Sequence, residues 1–123
     1  MILEPSAVVF YVDNLAISSK FYQDLLGIKA EEASPTFHAF TLSNGMGLGL
    51  KAKHAVEPPA GKNGSGELAF TLEDNSKVDE LFAQWQKKEV NMALPPTIVT
   101  YGYTFLALDP DGNRLRVVSF AKS

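Results

Sequence analysis

Ala7-Val-Val-Phe-Tyr-Val-Asp-Asn14 and Glu67-Leu-Ala-Phe-Thr-Leu-Glu-Asp74 are two versions of one pattern, in which Phe10 matches Phe70. Each stretch is followed by a segment with apolar residues at helical spacing. The matched residues are Phe21, Tyr22 and Leu25 in the first segment, and Leu81, Phe82 and Trp85 in the second. Such a repeat indicates one supersecondary unit used twice, and it predicts that a functional site lies where the two copies face each other.

The composition is that of a single soluble globular domain. The chain has 123 residues, of which 46% are hydrophobic and 20% charged. A net charge of -3 with scattered Lys and Arg argues against a nucleic-acid partner. No apolar run approaches the roughly 20 residues of a membrane span, and the N-terminus lacks the features of a signal peptide. A cytoplasmic protein with no membrane association is therefore predicted. The absence of cysteine excludes disulfides and thiolate ligands.

The first copy of the repeat predicts a module of the order βαβββ, spanning about residues 5–52. Asp13 or Asn14 offers an N-cap for the helix, and Gly27 offers its end. Ser43-Asn44-Gly45 is a hairpin signal between the last two strands. The predicted strands are 7–12, 28–33, 36–42 and 46–52, and the predicted helix is 15–27.

The second copy predicts the same order over about residues 66–121, after a linker at 53–65. Its helix is capped by Asp74 or Asn75, and Pro95 and Pro96 are expected to break the chain after a short strand. The turn Asp109-Pro-Asp-Gly112 is expected to join the last two strands. The predicted strands are 67–72, 89–93, 101–109 and 113–120, and the predicted helix is 75–88. The fold class is α+β: one domain, 1–123, of two tandem βαβββ modules forming a cupped mixed sheet with helices on the outer face.

Strand alternation assigns side chains to the two faces of each sheet, because successive residues of a strand point in opposite directions. If Phe10 and Phe70 lie under the helices, residues of the other parity point to the opposite face. These residues are Ala7, Val9, Tyr11, Gly49, Lys51, Glu67, Ala69, Thr71, Arg114 and Arg116. This second face needs a cover or a ligand. Gly47 and Gly49 are expected to keep it roomy.

Phe21-Tyr-Gln-Asp-Leu-Leu-Gly27 and Asp109-Pro-Asp-Gly-Asn113, together with the repeat, resemble motifs of the vicinal oxygen chelate superfamily. That superfamily contains glyoxalase I, extradiol dioxygenases, fosfomycin-resistance enzymes and bleomycin-type resistance proteins. The resemblance covers nearly the whole chain and implies the fold of two βαβββ modules. It does not specify the function, because the superfamily includes several chemistries and some binding proteins.

In the metal-using members, the resemblance places the metal ligands at positions that correspond to Ala7, Gly49, Glu67 and Arg116. Only Glu67 carries a ligand atom for a divalent ion, and a guanidinium would repel one. No metal and no cofactor are therefore predicted. If Glu67 and Arg116 occupy two positions that would share one metal in the family, their side chains should lie within salt-bridge reach, either as a structural pair or as groups offered to a polar ligand.

The segments Thr104–Val117 and Lys77–Trp85 resemble those of the metal-free, drug-sequestering branch, including the phenazine-antibiotic resistance proteins. This resemblance implies a homodimer that binds a small aromatic or amphiphilic compound without breaking a bond, so no catalytic residue is assigned. Tyr101, Tyr103 and Phe105 are expected to share the ligand-facing side of one strand, whereas Trp85 is predicted to be core. The predicted ligand-binding residues are Glu67, Arg116, Tyr101, Tyr103, Phe105, His38, Phe40, Gly49 and Lys51.

Two alternatives stay open. The first alternative is an enzyme of this fold, either a glyoxalase-like lyase or isomerase or a dioxygenase. Its rearranged metal site would use Glu67 and His38. Alternatively, the chain is a ligand sensor. A lone His in an apolar strand is more often structural, and no His–carboxylate arrangement identifies Ser18 or Ser19 as a nucleophile. The sequence leaves open the identity and charge of the ligand and whether the modules are exchanged between subunits.

Overall fold

A computed structural model describes residues 6–57 and 67–121 and contains the predicted element order. The elements are β1 (Ala7–Val12), α1 (Leu15–Leu26), β2 (Glu31–Ser34), β3 (Phe37–Thr41), β4 (Gly47–Ala52), a short 3-10 helix (Lys53–Ala55), β5 (Glu67–Thr71), α2 (Asn75–Lys87), β6 (Asn91–Val99), β7 (Gly102–Leu108) and β8 (Arg114–Phe120). The predicted α+β class with two tandem βαβββ modules is confirmed. Most of the predicted linker, from residue 58 onward, lies outside the described residues.

The chain divides into two compact units, Met1–Gly64 and Ser65–Ser123, each built on one four-stranded sheet. The strand orders are β1-β4-β3-β2 and β5-β8-β7-β6, so the two sheets have the same topology. In each sheet the first pair is parallel and the others are antiparallel. Val9 pairs with Gly49 in the first sheet, and Ala69 pairs with Arg116 in the second. Gly49 therefore holds in unit 1 the place that Arg116 holds in unit 2.

Both helices begin at the predicted N-cap residues, and α1 also ends at the predicted glycine. The Asn14 side chain accepts a hydrogen bond from the Ile17 N–H at 3.0 Å, and Gly27 ends α1 in the left-handed conformation at φ 72°. Asp74 caps α2 through the Lys77 N–H at 3.0 Å. A hydrogen bond from the Ser76 hydroxyl is the largest cause that lowers the pKa of the Asp74 carboxyl.

The core of each unit lies between its helix and one face of its sheet. In unit 1 the buried Tyr22 packs its ring against Phe10 and Phe40, with ring centres 6.3 and 6.5 Å apart. In unit 2 Trp85 is only 3% exposed and contacts Phe105 edge-on at 5.4 Å. The prediction that Trp85 is a core residue is confirmed.

One predicted element is wrong. Instead of a short strand broken by Pro95 and Pro96, β6 runs through both prolines from Asn91 to Val99. It is the outer strand of its sheet, and its pairing with β7 shifts register on either side of Leu94. An edge strand tolerates proline because its outward N–H groups need no partner strand, and the irregular register absorbs the missing donors.

The turn between β7 and β8 is held by one buried carboxylate. Asp109 Oδ1 accepts hydrogen bonds from the N–H groups of Asp111 at 2.9 Å and Asn113 at 2.8 Å. Its Oδ2 accepts a third from Asn113 Nδ2 at 3.0 Å. The motif that carried the family resemblance is therefore a device that fixes the hairpin linking these two strands.

We expect Asp109→Ala to lower the free energy of unfolding by about 2–3 kcal/mol, because it leaves buried N–H donors without an acceptor. Asp109→Asn keeps one oxygen for the backbone donors but turns an amide toward Asn113, so its loss should be about half as large. Urea unfolding followed by circular dichroism measures both values. A loss below about 0.5 kcal/mol for Asp109→Ala would contradict this role of the turn.

Candidate functional site on the open sheet faces

Each sheet has a face that its own helix does not cover, here called the open face. In the second sheet Phe105 and Val117 are neighbours on the face toward α2. Because side chains alternate, residues one position away lie on the opposite face. The open face of the second sheet therefore carries Glu67, Ala69, Thr104, Leu106, Arg114, Arg116 and Phe120.

Arg116 is the centre of a polar network on this open face. Its Nε donates to Glu67 Oε1 at 3.2 Å, which confirms that the two side chains lie within salt-bridge reach. Its Nη1 donates to the Tyr101 hydroxyl at 2.8 Å and to Thr104 Oγ1 at 3.2 Å. The buried Thr104 hydroxyl donates in turn to the Val117 carbonyl oxygen at 2.7 Å. The guanidinium is thus held in one orientation by three side chains.

The Arg116–Glu67 ion pair is half-buried. It orients the guanidinium but adds little to the free energy of unfolding. The Arg116 side chain is 18% exposed and that of Glu67 is 41% exposed. At this exposure solvent screens much of the attraction, so a pair of this kind contributes on the order of 1 kcal/mol or less. The consequence is a positioned cation that remains accessible at the sheet surface.

Tyr101 reaches this network from the turn just before β7. Its ring lies 6.4 Å from that of Phe120, and the two residues are 44% and 54% exposed. We call these two rings the aromatic shelf. The Arg116 guanidinium carbon is 5.9 Å from the Tyr101 ring centre, at the outer limit of a cation–π contact, so the hydroxyl hydrogen bond holds the pair.

Gly102 allows the backbone approach that places Tyr101. A Cβ atom at Gly102 would collide with the carbonyl oxygen of Ser119 on the neighbouring strand. Beside it, the Tyr101 carbonyl accepts a hydrogen bond from the Ala121 N–H at 2.9 Å. Only glycine fits here, because the obstacle is backbone that cannot rotate away.

The expectation that Tyr101, Tyr103 and Phe105 share one face is wrong. Phe105 is fully buried in the core, with its ring 5.2 Å from that of Phe82. Tyr103 points the same way, and its hydroxyl donates to Asp79 Oδ1 on α2 at 2.7 Å. The strand begins only at Gly102, so Tyr101 precedes it and does not follow its alternation.

His38 and Phe40 also lie on the helix side of their sheet, away from the open face. Phe40 is 1% exposed and packs against Tyr22. His38 Nδ1 is 2.7 Å from the hydroxyl of the buried Ser19 on α1. His38 and Phe40, predicted to bind the ligand, are therefore not part of the open face, since β3 turns its even-numbered residues toward the helix.

Gly49 and Lys51 do lie on the open face of the first sheet. A Cβ at Gly49 would be 2.7 Å from the Phe37 ring, so the absent side chain makes room for this ring. The expectation that Gly49 keeps the face roomy is wrong, because Phe37 fills the space. The Lys51 Nζ donates to Thr36 Oγ1 at 2.9 Å, and in register Lys51 stands between Tyr11 and Phe37.

A second polar cluster in unit 1 was not identified from the sequence. It consists of Ser19, His38 and Glu32, with His38 Nε2 3.9 Å from Glu32 Oε1. Gln23 Nε2 donates to the Ser19 hydroxyl at 3.3 Å. His38 and Glu32 border a shallow depression of about 520 Å³ that Leu15, Ala16, Ser34 and Pro35 complete. Ser19 itself is buried, so it orients the imidazole and is not an accessible nucleophile.

The residues at the family's metal positions do not fit a metal ion. Ala7 and Gly49 offer no ligand atom, and Arg116 brings a positive charge to the carboxylate of Glu67. In the part of the chain that the structure describes, no cluster of three or more His, Asp or Glu side chains could hold a metal ion. A divalent site needs several such ligands, so no chemistry is assigned to a metal here.

Three residues of the open-face site were missed from the sequence: Gly102, Thr104 and Phe120. Thr104 and Phe120 could have been found by extending the alternation of β7 and β8 from Arg116. Gly102 carried a weaker signal, as an isolated glycine between two tyrosines in a strand pattern, which often marks close backbone approach.

With this geometry, the match to known proteins defines the class of the molecule. A model of the Glyoxalase/Bleomycin resistance protein/Dioxygenase superfamily matches residues 5–117, and the chain belongs to this superfamily. Among the relatives is the phenazine antibiotic resistance protein EhpR of Enterobacter agglomerans. It is 30% identical over 118 residues, which cover 94% of this chain and 91% of that protein.

Two solved structures have the same fold. Protein ATC0852 from Agrobacterium tumefaciens, determined by solution NMR, is 47% identical, with a TM-score of 0.86 over 98% of this chain and 100% of its own. A glyoxalase/bleomycin resistance protein/dioxygenase from Nocardioides is 18% identical, with a TM-score of 0.84 over 100% of this chain and 88% of its own. Neither helix within residues 6–57 and 67–121 is long and apolar enough to cross a membrane.

We expect Gly102→Ala to cost about 2–4 kcal/mol of unfolding free energy, because strand β7 would have to move away from Ser119. Gly47→Ala is the matched control, since an added Cβ there meets ordinary contacts at 3.5 Å or more, and its cost should stay within about 1 kcal/mol. Thermal unfolding of the two variants gives the comparison. Equal losses would show that the backbone approach at Gly102 is not required.

Tyr103 provides a test of its contact with α2. The hydrogen bond to Asp79 is the largest cause that raises the Tyr103 pKa above 10.0. The stabilising contribution of this bond is therefore present below pH 10 and lost as the pH rises through the raised pKa. Asp79→Asn should bring the Tyr103 pKa back toward 10. Ultraviolet titration of tyrosinate measures this, with Tyr103→Phe identifying the signal among the four tyrosines. An unchanged titration in Asp79→Asn would contradict the contact.

Proposed function

We propose that this protein binds a small aromatic or amphiphilic compound at the open face of its second sheet and sequesters it without using a metal. One observation carries the proposal: Arg116 stands at a position where metal-using relatives hold a ligand, and it is held there by Glu67, Tyr101 and Thr104. A guanidinium fixed by protein groups suits recognition of a polar group on a ligand and does not suit a divalent ion.

The aromatic shelf supplies the apolar part of such a site. Tyr101 and Phe120 are about half exposed, and flat rings of this kind gain by stacking on a conjugated ligand. The similarity to a phenazine antibiotic resistance protein supports a ligand of this shape. Sequestration then follows as a resistance mechanism, because a bound compound is removed from its target while its covalent structure stays intact.

A homodimer is part of the proposal. Each unit exposes aromatic and aliphatic side chains on its open face: Val9 and Tyr11 in unit 1, and Tyr101 and Phe120 in unit 2. Covering such surfaces with a second copy of the chain would bury apolar area and enclose a ligand. We place the protein in the cytoplasm, with no nucleic-acid partner.

The alternative enzyme with a rearranged metal site is less well supported. It required His38 together with Glu67, but His38 lies under α1 and is hydrogen-bonded to Ser19. The imidazole is thus not on the open face of its own sheet, whereas Glu67 is on the open face of the second sheet. A ligand sensor remains compatible with the same binding site, and it differs in what the bound protein does next.

The proposal predicts that protein dialysed against EDTA binds phenazine with micromolar affinity in isothermal titration calorimetry. Arg116→Ala combined with Glu67→Gln, which avoids an orphaned carboxylate, should weaken binding at least about tenfold. Lys20→Ala is the control, because Lys20 is exposed on α1 and pairs only with Asp24 in the described structure. Mass spectrometry should recover the compound unchanged. Binding that requires added Zn²⁺ or Mn²⁺, or conversion of the compound, would refute sequestration.

A further inference from the structure

We propose that the ligand of the open-face site carries an acidic group, and that Arg116, Tyr101 and Arg114 bind this group as a carboxylate. This inference rests on the proposed function and narrows its ligand from aromatic compounds in general to planar aromatic acids. It follows from the hydrogen-bond donors that the protein leaves uncommitted on this face.

The Arg116 guanidinium has five N–H donors, of which the protein uses three. Nε donates to Glu67, and Nη1 donates to Tyr101 and Thr104. Within the described residues, Nη2 has no hydrogen-bond partner, so its two N–H groups are left for water or a ligand. The other three bonds keep this group from swinging away, which lowers the entropy cost of using it in recognition.

The Tyr101 hydroxyl adds a second donor beside the first. Its oxygen accepts from Arg116 Nη1 at 2.8 Å, so its own O–H proton is free to point elsewhere. The hydroxyl donates no hydrogen bond to any of the described residues, 6–57 and 67–121, and Tyr101 is 44% exposed. A ligand that offers acceptor oxygens would satisfy both the hydroxyl and the Nη2 group.

The charge of the face favours an anion over a neutral acceptor. Arg114 projects from the same face of β8 as Arg116, is exposed, and forms no salt bridge with any described residue. With Glu67 as the single carboxylate among these three residues, their sum is +1, whereas the whole chain carries -3. A local positive charge on an acidic protein concentrates anions at that surface and repels cations.

The aromatic shelf lies next to these donors. Tyr101 belongs to both groups, since its hydroxyl contacts Arg116 while its ring neighbours Phe120 at 6.4 Å. A ligand that stacks on the shelf therefore brings any substituent on its near edge within reach of the guanidinium. Rings with a carboxylate on the edge match both halves of the site, and charge-assisted hydrogen bonds to the carboxylate are the stronger kind.

Three compounds with the same ring system test the inference: phenazine-1-carboxylate, phenazine-1-carboxamide and phenazine. Their affinities for the wild-type protein are measured by calorimetry at pH 7 in 20 and 200 mM NaCl. We expect the carboxylate to bind about tenfold or more tightly than the carboxamide, which has nearly the same shape without the charge. The preference should shrink at the higher salt concentration, because the positive charges are partly exposed.

Point variants assign the preference to particular groups. Tyr101→Phe keeps the ring but removes the hydroxyl donor, and it should reduce the carboxylate-to-carboxamide ratio by about threefold or more. Arg114→Gln should reduce the ratio and its salt dependence together. Lys20→Gln removes an exposed positive charge on α1 and should leave the ratio as in the wild type.

The outcomes separate this inference from the proposed function. If all three compounds bind with equal affinity, the acidic ligand is refuted and sequestration of an aromatic compound stands. A tighter carboxamide would have the same meaning. If none of the three binds, both proposals are overturned. A carboxylate preference that survives in Arg114→Gln and Tyr101→Phe alike would refute the assignment to this face.

Discussion

A four-stranded sheet has two faces, and in each unit a single helix can cover only one of them. This constraint governs the rest of the molecule. The covered faces form ordinary cores around Tyr22 and Trp85. The side chains on the open faces need packing or hydrogen-bond partners from elsewhere than the helix. The two units supply these partners differently. The candidate site lies on the open face of the second sheet, where Arg114, Tyr101 and Phe120 are exposed.

The open face is apolar at one position in unit 1 and charged at the equivalent position in unit 2. At equivalent places in the sheets, unit 1 has Gly49 and unit 2 has Arg116. In unit 1 the neighbouring strand lays the Phe37 ring over the glycine and closes the surface with apolar contact. In unit 2 Arg116 occupies this place. Its guanidinium donates hydrogen bonds to Glu67, Tyr101 and Thr104. The two units thus share a backbone topology but differ in the chemistry of this face.

Strand alternation and the family's metal-ligand positions together predicted the ion pair of the candidate site. Alternation placed Glu67 and Arg116 on one face, and these side chains do meet. For Tyr101 the rule does not apply because the strand begins one residue later, and Tyr103 and Phe105 share a face that proved to be the helix side. Alternation was not applied to β3, which turns His38 and Phe40 toward its helix. The prediction that Pro95 and Pro96 end a strand was wrong for another reason. Proline is as typical of a strand at the edge of a sheet as of the end of a strand. Alternation is reliable inside a strand and uninformative about where the strand starts.

The hairpin held by Asp109 has a consequence for the order in which the site assembles. Arg116 and Thr104 are separated by 12 residues on its two strands, whereas Glu67 is 49 residues from Arg116. Closing the short loop costs less chain entropy than bringing β5 to the sheet. Chain entropy therefore favours the contact between the guanidinium and the Thr104 hydroxyl over the contact with Glu67 early in folding. The ion pair depends on the whole sheet being assembled, whereas the Arg116–Thr104 contact depends only on the hairpin.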